Sequence, residues 1–231
     1  MFTLCAREMG YKVLVLDPDP DSPAGRAADL HLQRTYDDPG AIERIIGQCS
    51  AVTTEFENVP AQVLQTLAVR LPVRPGARAV AVAQDRIAEK TFLRTQGFAT
   101  AEFAPVRTGA DLDGATSSVP GPWLLKTATL GYDGKGQARV TTLDEARFAF
   151  EQLGEVPCVL EQMVPLDCEV SVVLARGEDG RTAAYPPGQN LHARGILETT
   201  TVPADIDPDR AREAIWLAAS IAETLGYVGV L

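Results

Sequence analysis

Positive charge is scarce in this chain. It has 21 Lys and Arg against 31 Asp and Glu, a net charge of −10 and a pI near 4.7, which argues against DNA or RNA as the main partner. Cysteine is sparse too: Cys5, Cys49, Cys158 and Cys168 show neither CxxC nor metal-type spacing. They read as reduced, mostly buried thiols. No apolar run is long enough to span a membrane and no secretory signal is present, so a soluble cytoplasmic protein is expected, with no membrane and no nucleic-acid partner. The familiar phosphate motifs are missing as well. There is no GxxxxGK[ST] and no GxGxxG following a strand, which excludes a Walker loop and a dinucleotide fingerprint.

What remains is a globular composition: 231 residues, 45% hydrophobic and 23% charged, enough for one large core or two modest ones. Up to about residue 80 strands alternate with helices. YKVLVLD (11–17), SAVTTEF (50–56) and VRLPVRP (69–75) read as strands, and 37–49 and 60–68 as helices, the first with Asp37 or Asp38 at its cap and Pro39 in its first turn. That order predicts a parallel sheet. An amphipathic helix follows at 85–97. Beyond it strands predominate (101–106, 122–128, 137–142, 158–164, 168–177, 181–186, 195–202), with helices at 143–153 and 208–225 and a hairpin turn at EDGR, 178–181. The boundary falls near 80–98, an α/β half preceding an antiparallel α+β half. At the start a helix runs straight into a strand, without the strand and glycine turn that normally precede it in a doubly wound sheet, and YVGVL at the end reads as an unfinished strand. A piece of a longer fold is expected.

The chemistry concentrates around LLKTATLGYDGKGQARV, 124–140. Gly131, Gly134 and Gly136 form a hairpin tip whose backbone N–H groups can close on phosphates. Lys126 lies on the incoming strand and Lys135 at the tip. The plain alternative is a glycine-rich hairpin with solvated lysines. Arg86 and Lys90, four apart on one helix face, can meet one anionic ligand, or form a surface ion-pair face with Asp85 and Glu89. Strand VLEQMV carries Glu161 and Gln162 and leads into an extended segment suited to an adenine edge. Glu169 begins another strand and suits a ribose hydroxyl pair. Taken singly, each carboxylate reads as solvated at a strand end. His192 falls in a turn before a strand, and His31 reads as structural. Glu55 and Glu57 stand at the C-terminal end of a parallel strand, where open α/β sheets bind ligands; alternatively Glu57 or Asn58 caps the next helix.

Together LKTATLGYDGKGQ, VLEQMV, EVSVVLARGEDGR, YPPGQNLHARGIL and ETLGYVGVL, with LDPDPDSPAGRAAD, TTEFENVP and RPGARAVAVAQDRIAEKTFL upstream, resemble the 5-(carboxyamino)imidazole ribonucleotide synthase family, ATP-grasp ligases of purine biosynthesis. The resemblance runs in order over essentially the whole chain. It implies an ATP-grasp fold preceded by a Rossmann-like pre-ATP-grasp domain, here incomplete: 1–82 for the latter, without its first strand, and 83–231 for the former, with a small lid at about 98–163 and the start of a C-terminal subdomain at 164–231. It implies ATP-dependent carboxylation of 5-aminoimidazole ribonucleotide by bicarbonate, with ATP and Mg²⁺ as cofactors and a homodimer as the assembly. ATP contacts would come from Arg86, Lys126, the loop Gly131, Tyr132, Asp133, Gly134, Lys135, Gly136 and Gln137, the segment Glu161, Gln162, Met163 and Val164, and from Glu169 and His192. Lys126 and Lys135 would serve catalysis; Glu55, Tyr132 and Asp133 would meet the aminoimidazole ribonucleotide.

The chain departs from the family pattern at Leu130, where a glycine is usual, and at Gln189, where an acidic residue is common. The family's N-terminal GGGQLG turn and its late acidic magnesium ligands have no counterpart, so the metal ligands are expected beyond Leu231 and the chain by itself is expected not to turn over. Related ATP-grasp enzymes, such as a formate-dependent glycinamide ribonucleotide transformylase or a biotin carboxylase, are the alternative, against which GYDGKG argues. A non-catalytic nucleotide-binding fragment is another.

Overall fold

Short elements stand where the sequence is richest in proline and aspartate. In a computed structural model describing residues 1–131, 136–193 and 196–231, the chain divides into two units, Met1–Ala81 and Val82–Leu231. In the first, helix α1 (Phe2–Glu8) leads to strand β1 (Leu14–Leu16), helix α2 (Pro23–Ala27) and strand β2 (Leu30–Leu32). The strands pair in parallel, Leu14 opposite Leu30. Helix α3 (Pro39–Gln48) begins at Asp38, whose carboxylate accepts from the Ala41 N–H at 2.7 Å, with Pro39 in the first turn. This cap fixes φ where the helix starts and satisfies one orphan donor.

Two expected strands are not formed as such. The segments 50–56 and 69–75 meet only in one parallel bridge, Val52 with Val73. The Val52 N–H donates to Pro72 O and the Arg74 N–H to Val52 O, each at 2.9 Å. Pro72 and Pro75 supply no donors of their own, so the ladder cannot extend. Helix α4 (Ala61–Ala68) starts at Pro60 with no side-chain cap; neither Glu57 nor Asn58 takes that role. Helix α5 (Ala77–Gln84), β2 and α2 were not expected from the sequence pattern. Ile45, Val63, Leu64, Leu67, Val73 and Val80 form this unit's core against Leu14 and Leu16.

The second unit opens with α6 (Arg86–Thr95), capped by the Asp85 carboxylate on the Ile87 and Ala88 N–H groups. Strands β3 (Phe103–Val106), β4 (Trp123–Thr127), β5 (Gln137–Val140) and β6 (Cys158–Gln162) form an antiparallel sheet in the order β3-β6-β4-β5. Alternation along the strands decides what each face buries. Val106, Leu125, Cys158 and Leu160 pack against Leu112 and Ala115 of α7 (Asp111–Ser118) and Ala146, Ala149 and Phe150 of α8 (Leu143–Gln152). Phe103, Ala128 and Val159 on the opposite side meet Ile87 of α6. Leu112, Leu125 and Leu160 are fully buried, each contributing about 1.5–3 kcal/mol of hydrophobic transfer.

The expected strand 168–177 is two strands in different sheets. β7 (Glu169–Ser171) joins β10 (Gly188–Ala193) and β11 (Ile196–Thr201), while β8 (Leu174–Arg176) joins β9 (Thr182–Ala184) and β12 (Gly229–Val230). The β8–β9 hairpin turns at 178–181 as expected, the Gly177 N–H donating to Arg181 O at 2.9 Å. Helix α9 (Pro208–Leu225) is capped by Asp207 and stopped by Gly226 at φ 63°. Among the described residues no helix is long and apolar enough to cross a membrane.

Candidate functional site

Register brings the first charges together. Lys126 on β4 lies opposite Val159 of β6, and Leu124 opposite Glu161, so Lys126 and Glu161 are diagonal neighbours on one face. Lys126 Nζ donates to Glu161 Oε2 at 3.1 Å, and Lys90 Nζ, reaching from α6, stands 3.5 Å from the same oxygen. Glu161 is only 6% exposed. The expectation of a solvated strand-end carboxylate is therefore corrected for Glu161: β6 is an interior strand of the sheet and α6 covers this face, so the carboxylate is buried and needs its two ammoniums. Glu89, an exposed residue nearby, has its pKa raised by desolvation, with the Glu161 charge adding to the effect and Lys90, Arg86 and Lys126 opposing it.

Arg86 is engaged elsewhere. Its Nη1 donates to Thr127 O and its Nη2 to Gly131 O, both at 2.9 Å. The guanidinium thus fixes the end of β4 and the start of the glycine loop. Of the surface ion-pair face that was the plain alternative, Asp85 is instead the helix cap and Lys90 pairs with Glu161, while both cations act on Glu89 electrostatically. The loop's other end is tied by the Thr127 N–H to Gly136 O at 2.8 Å. Gly136 has φ +72°, and a Cβ there would lie 2.7 Å from Thr127 Oγ1. Leu130 holds a left-handed φ of 61° despite its side chain. Tyr132, Asp133, Gly134 and Lys135 lie outside the described residues.

Beyond β6 the chain continues without regular structure. The Gln162 N–H donates to Glu102 O and the Met163 N–H to Pro122 O, each at 2.8 Å, which leaves the more exposed Val164 as the next peptide of the segment. Glu169 and His192 come together across the β7–β10 pair, Nδ1 of His192 standing 3.5 Å from Glu169 Oε1. His192 lies on β10 and not in a turn; a register shift between Leu191 and His192 aims its side chain locally, as β-bulges do. Asn190 Nδ2 also donates to Glu169 Oε1, at 3.4 Å, and Thr200 Oγ1 donates to Asn190 Oδ1 at 2.9 Å. Asn190 and Thr200 were missed in the sequence; reading 188–193 as a strand, with 190 and 192 in alternation, would have found the first.

In the first unit Glu55 accepts from the Phe2 N–H at 3.2 and 3.3 Å through its two oxygens. His31 is structural as expected: its Nε2 is 3.0 Å from Asp17 O and its ring packs where a Cβ on Gly25 would be. Among the described residues no group of three or more His, Cys, Asp or Glu is placed to hold a metal ion.

Residues 91–231 match the ATP-grasp domain model, and residues 1–84 the ribonucleotide synthetase preATP-grasp domain. The N5-carboxyaminoimidazole ribonucleotide synthase of Brucella melitensis is 38% identical over 233 residues, covering 100% of this chain and 64% of that protein. An N5-carboxyaminoimidazole synthetase from Staphylococcus aureus, solved in complex with ADP, superposes with a TM-score of 0.93 at 33% identity, covering 100% of this chain and 61% of its own. The N5-carboxyaminoimidazole ribonucleotide synthetase of Thermus thermophilus gives 0.90 at 39% identity, with 100% and 62% covered. The chain spans a little under two thirds of the length of the curated relatives it matches, 64% and 63% for two of them.

Proposed function

The chain belongs to the ATP-grasp family, and on that premise we propose that it carries the nucleotide-binding part of an enzyme that carboxylates 5-aminoimidazole ribonucleotide at the expense of ATP. The observation that carries this reading is the ammonium of Lys126, held at 3.1 Å from a buried carboxylate at the mouth of a glycine hairpin whose start is fixed by Arg86. In that place Lys126, Arg86 and the backbone amides of the loop Gly131 to Gln137 are assigned to the nucleotide's phosphates, and Lys135 is assigned to catalysis with Lys126. Fixed donors aimed at the transferred group stabilise the charge that grows on it. The adenine lies along Glu161–Val164. Because the N–H groups of Gln162 and Met163 are already bonded to the sheet, its ring edge is met by the Val164 N–H and by carbonyls. Glu169, held by Asn190 and His192, takes the ribose hydroxyls.

In the reaction a bicarbonate oxygen attacks the γ-phosphorus and ADP leaves, giving carboxyphosphate. The exocyclic amine of the aminoimidazole then takes the carboxyl group, and phosphate and a proton depart. Glu55, Tyr132 and Asp133 are assigned to the aminoimidazole ribonucleotide. The magnesium ion expected with ATP has no ligand set among the described residues, and no step is assigned to it. The test is titration of the chain with ADP. Lys126→Met should weaken binding at least about tenfold, roughly 1.4 kcal/mol; unchanged affinity would remove Lys126 from the phosphate site. The Staphylococcus aureus relative's complex with ADP makes ADP the fitting probe.

A further inference from the structure

Lys90 has no part in the nucleotide contacts proposed for this chain, yet it is partly buried, its side chain only 16% exposed. It sits one helical turn from Arg86 on α6, and its ammonium is directed at Glu161 Oε2 rather than at open solvent. Glu161 therefore has two cations, Lys90 at 3.5 Å and Lys126 at 3.1 Å. The ammonium of Lys90 also lies over the Phe103 ring, Nζ being 5.5 Å from its centroid, and Arg94 stacks on the same ring at 4.1 Å. Phe103 lies opposite Glu161 in the β3–β6 register. Helix and sheet thus fix Lys90 on the carboxylate from one side while Lys126 comes to it from the other.

We propose that Lys90 is a positioning residue: it neutralises the buried Glu161 carboxylate so that Lys126 is free to turn its ammonium to the nucleotide's phosphates. A buried carboxylate with a single partner binds that partner tightly, since separating them leaves an uncompensated charge. With Lys90 in place, Lys126 can exchange one anionic partner for another while Glu161 keeps a counter-ion. Without Lys90, phosphate has to compete with Glu161 for Lys126. This role presupposes that Lys126 meets phosphate, and it concerns the carboxylate of Glu161, not the peptide groups assigned to adenine.

The experiment is titration of the full chain and its variants with ADP and, separately, with adenosine. Lys90→Met should weaken ADP about tenfold and adenosine less than about twofold, because only the phosphate contacts are affected. Lys90→Arg, which keeps the charge, should stay within about threefold of the unsubstituted chain. The decisive variant is Lys90→Met with Glu161→Gln: removing the carboxylate as well should restore most of the lost ADP affinity, to within about threefold. A purely structural lysine would give no such recovery. The double variant carries no buried carboxylate in need of a counter-ion, so it answers the question even where Lys90→Met folds poorly. ADP binding by Lys90→Met equal to that of the unsubstituted chain, equal losses for ADP and adenosine, or no recovery in the folded double variant would each overturn the assignment. If instead Lys126→Met leaves ADP binding intact, or the unsubstituted chain binds no ADP, the nucleotide reading itself falls and this role with it.

Discussion

Adding one methyl group at Gly136 should cost most of the nucleotide affinity. The residue has φ +72°, a region that charges an L side chain roughly 1–2 kcal/mol. Its new Cβ would sit 2.7 Å from Thr127 Oγ1, and that oxygen cannot swing away freely because it donates to Thr129 O at 3.0 Å. Overpacking of this kind costs about 1–3 kcal/mol. The combined penalty of roughly 2–5 kcal/mol need not appear in global stability, because it falls at one turn position outside the sheet's core. It appears instead as a depleted binding-competent population, which divides the affinity directly. Gly136→Ala should therefore bind ADP about 30- to 4,000-fold more weakly, with a much smaller change in melting temperature. Thr127→Ala in the same chain removes the overlap but not the backbone cost, and should recover about tenfold or more. ADP affinity within twofold of the unsubstituted chain for Gly136→Ala, or a double variant no better than the single one, would refute the loop geometry as the cause.

Other outcomes follow from neighbouring residues. Leu130→Gly relieves a left-handed φ of 61° at a side chain that is 71% exposed, but glycine also loosens the unfolded chain; the two effects nearly cancel, so thermal unfolding should shift by less than about 0.5 kcal/mol. Cys158 is fully buried and its pKa is pushed up to about 11 by burial; at pH 8 a thiol reagent should label the exposed Cys5 and Cys168 and reach Cys158 only after unfolding, as read by mass spectrometry. The raised Glu89 carboxyl costs stability once it ionises, so Glu89→Gln should be the more stable protein at pH 7.5, and the gap should close as the pH falls below the ordinary glutamate value; a less stable variant at pH 7.5 would contradict the desolvation. Glu55→Gln keeps an acceptor for the Phe2 N–H but loses its charge, so calorimetry should find weaker aminoimidazole ribonucleotide binding with ADP affinity within about twofold; normal affinity for both ligands would leave Glu55 a structural cap.

What could be read in the sequence was whatever local chemistry decides. Helix α9 ends where the pattern predicts, because Asp207 and Pro208 open it and Gly226 closes it. The strand before the glycine loop places Lys126 for the same kind of reason, an apolar run, Trp123 to Leu125, closed by Lys126 and Thr127 ahead of the glycines. Most of the failures are long-range. Nothing within 168–177 says that its first half pairs with β10 and its second half with β9 and β12. The sequence of α7, DLDGATSS, is made of weak helix formers. It is helical because Leu112 and Ala115 are buried against the sheet and the Asp111 carboxylate accepts from the Arg107 and Thr108 N–H groups at 2.8 Å. His192 sits in a polar stretch that looks like a turn and becomes a strand through its neighbours β7 and β11. Glu161 is the instructive case. Its burial depends on an α6 lysine far away in the chain, and no window around VLEQMV contains that information.

The same cluster bears on how an acidic chain would hold the polyanion proposed for it. The chain as a whole carries −10, but beyond about 8–10 Å exposed charges are largely screened at physiological salt. Within that range the nucleotide would meet Arg86, Lys90 and Lys126 against Glu161 and Glu89, three cations to two carboxylates. One of those carboxylates has its pKa raised by desolvation and the other is held between two lysines. The local field is thus positive despite the global sign. It depends on the burial of Glu161 as much as on the lysines: an exposed glutamate in its place would be satisfied by water, and would not hold two ammoniums at one end of β4. Burial is what makes the carboxylate a scaffold for positive charge, and that is the physical reason to place the phosphates there.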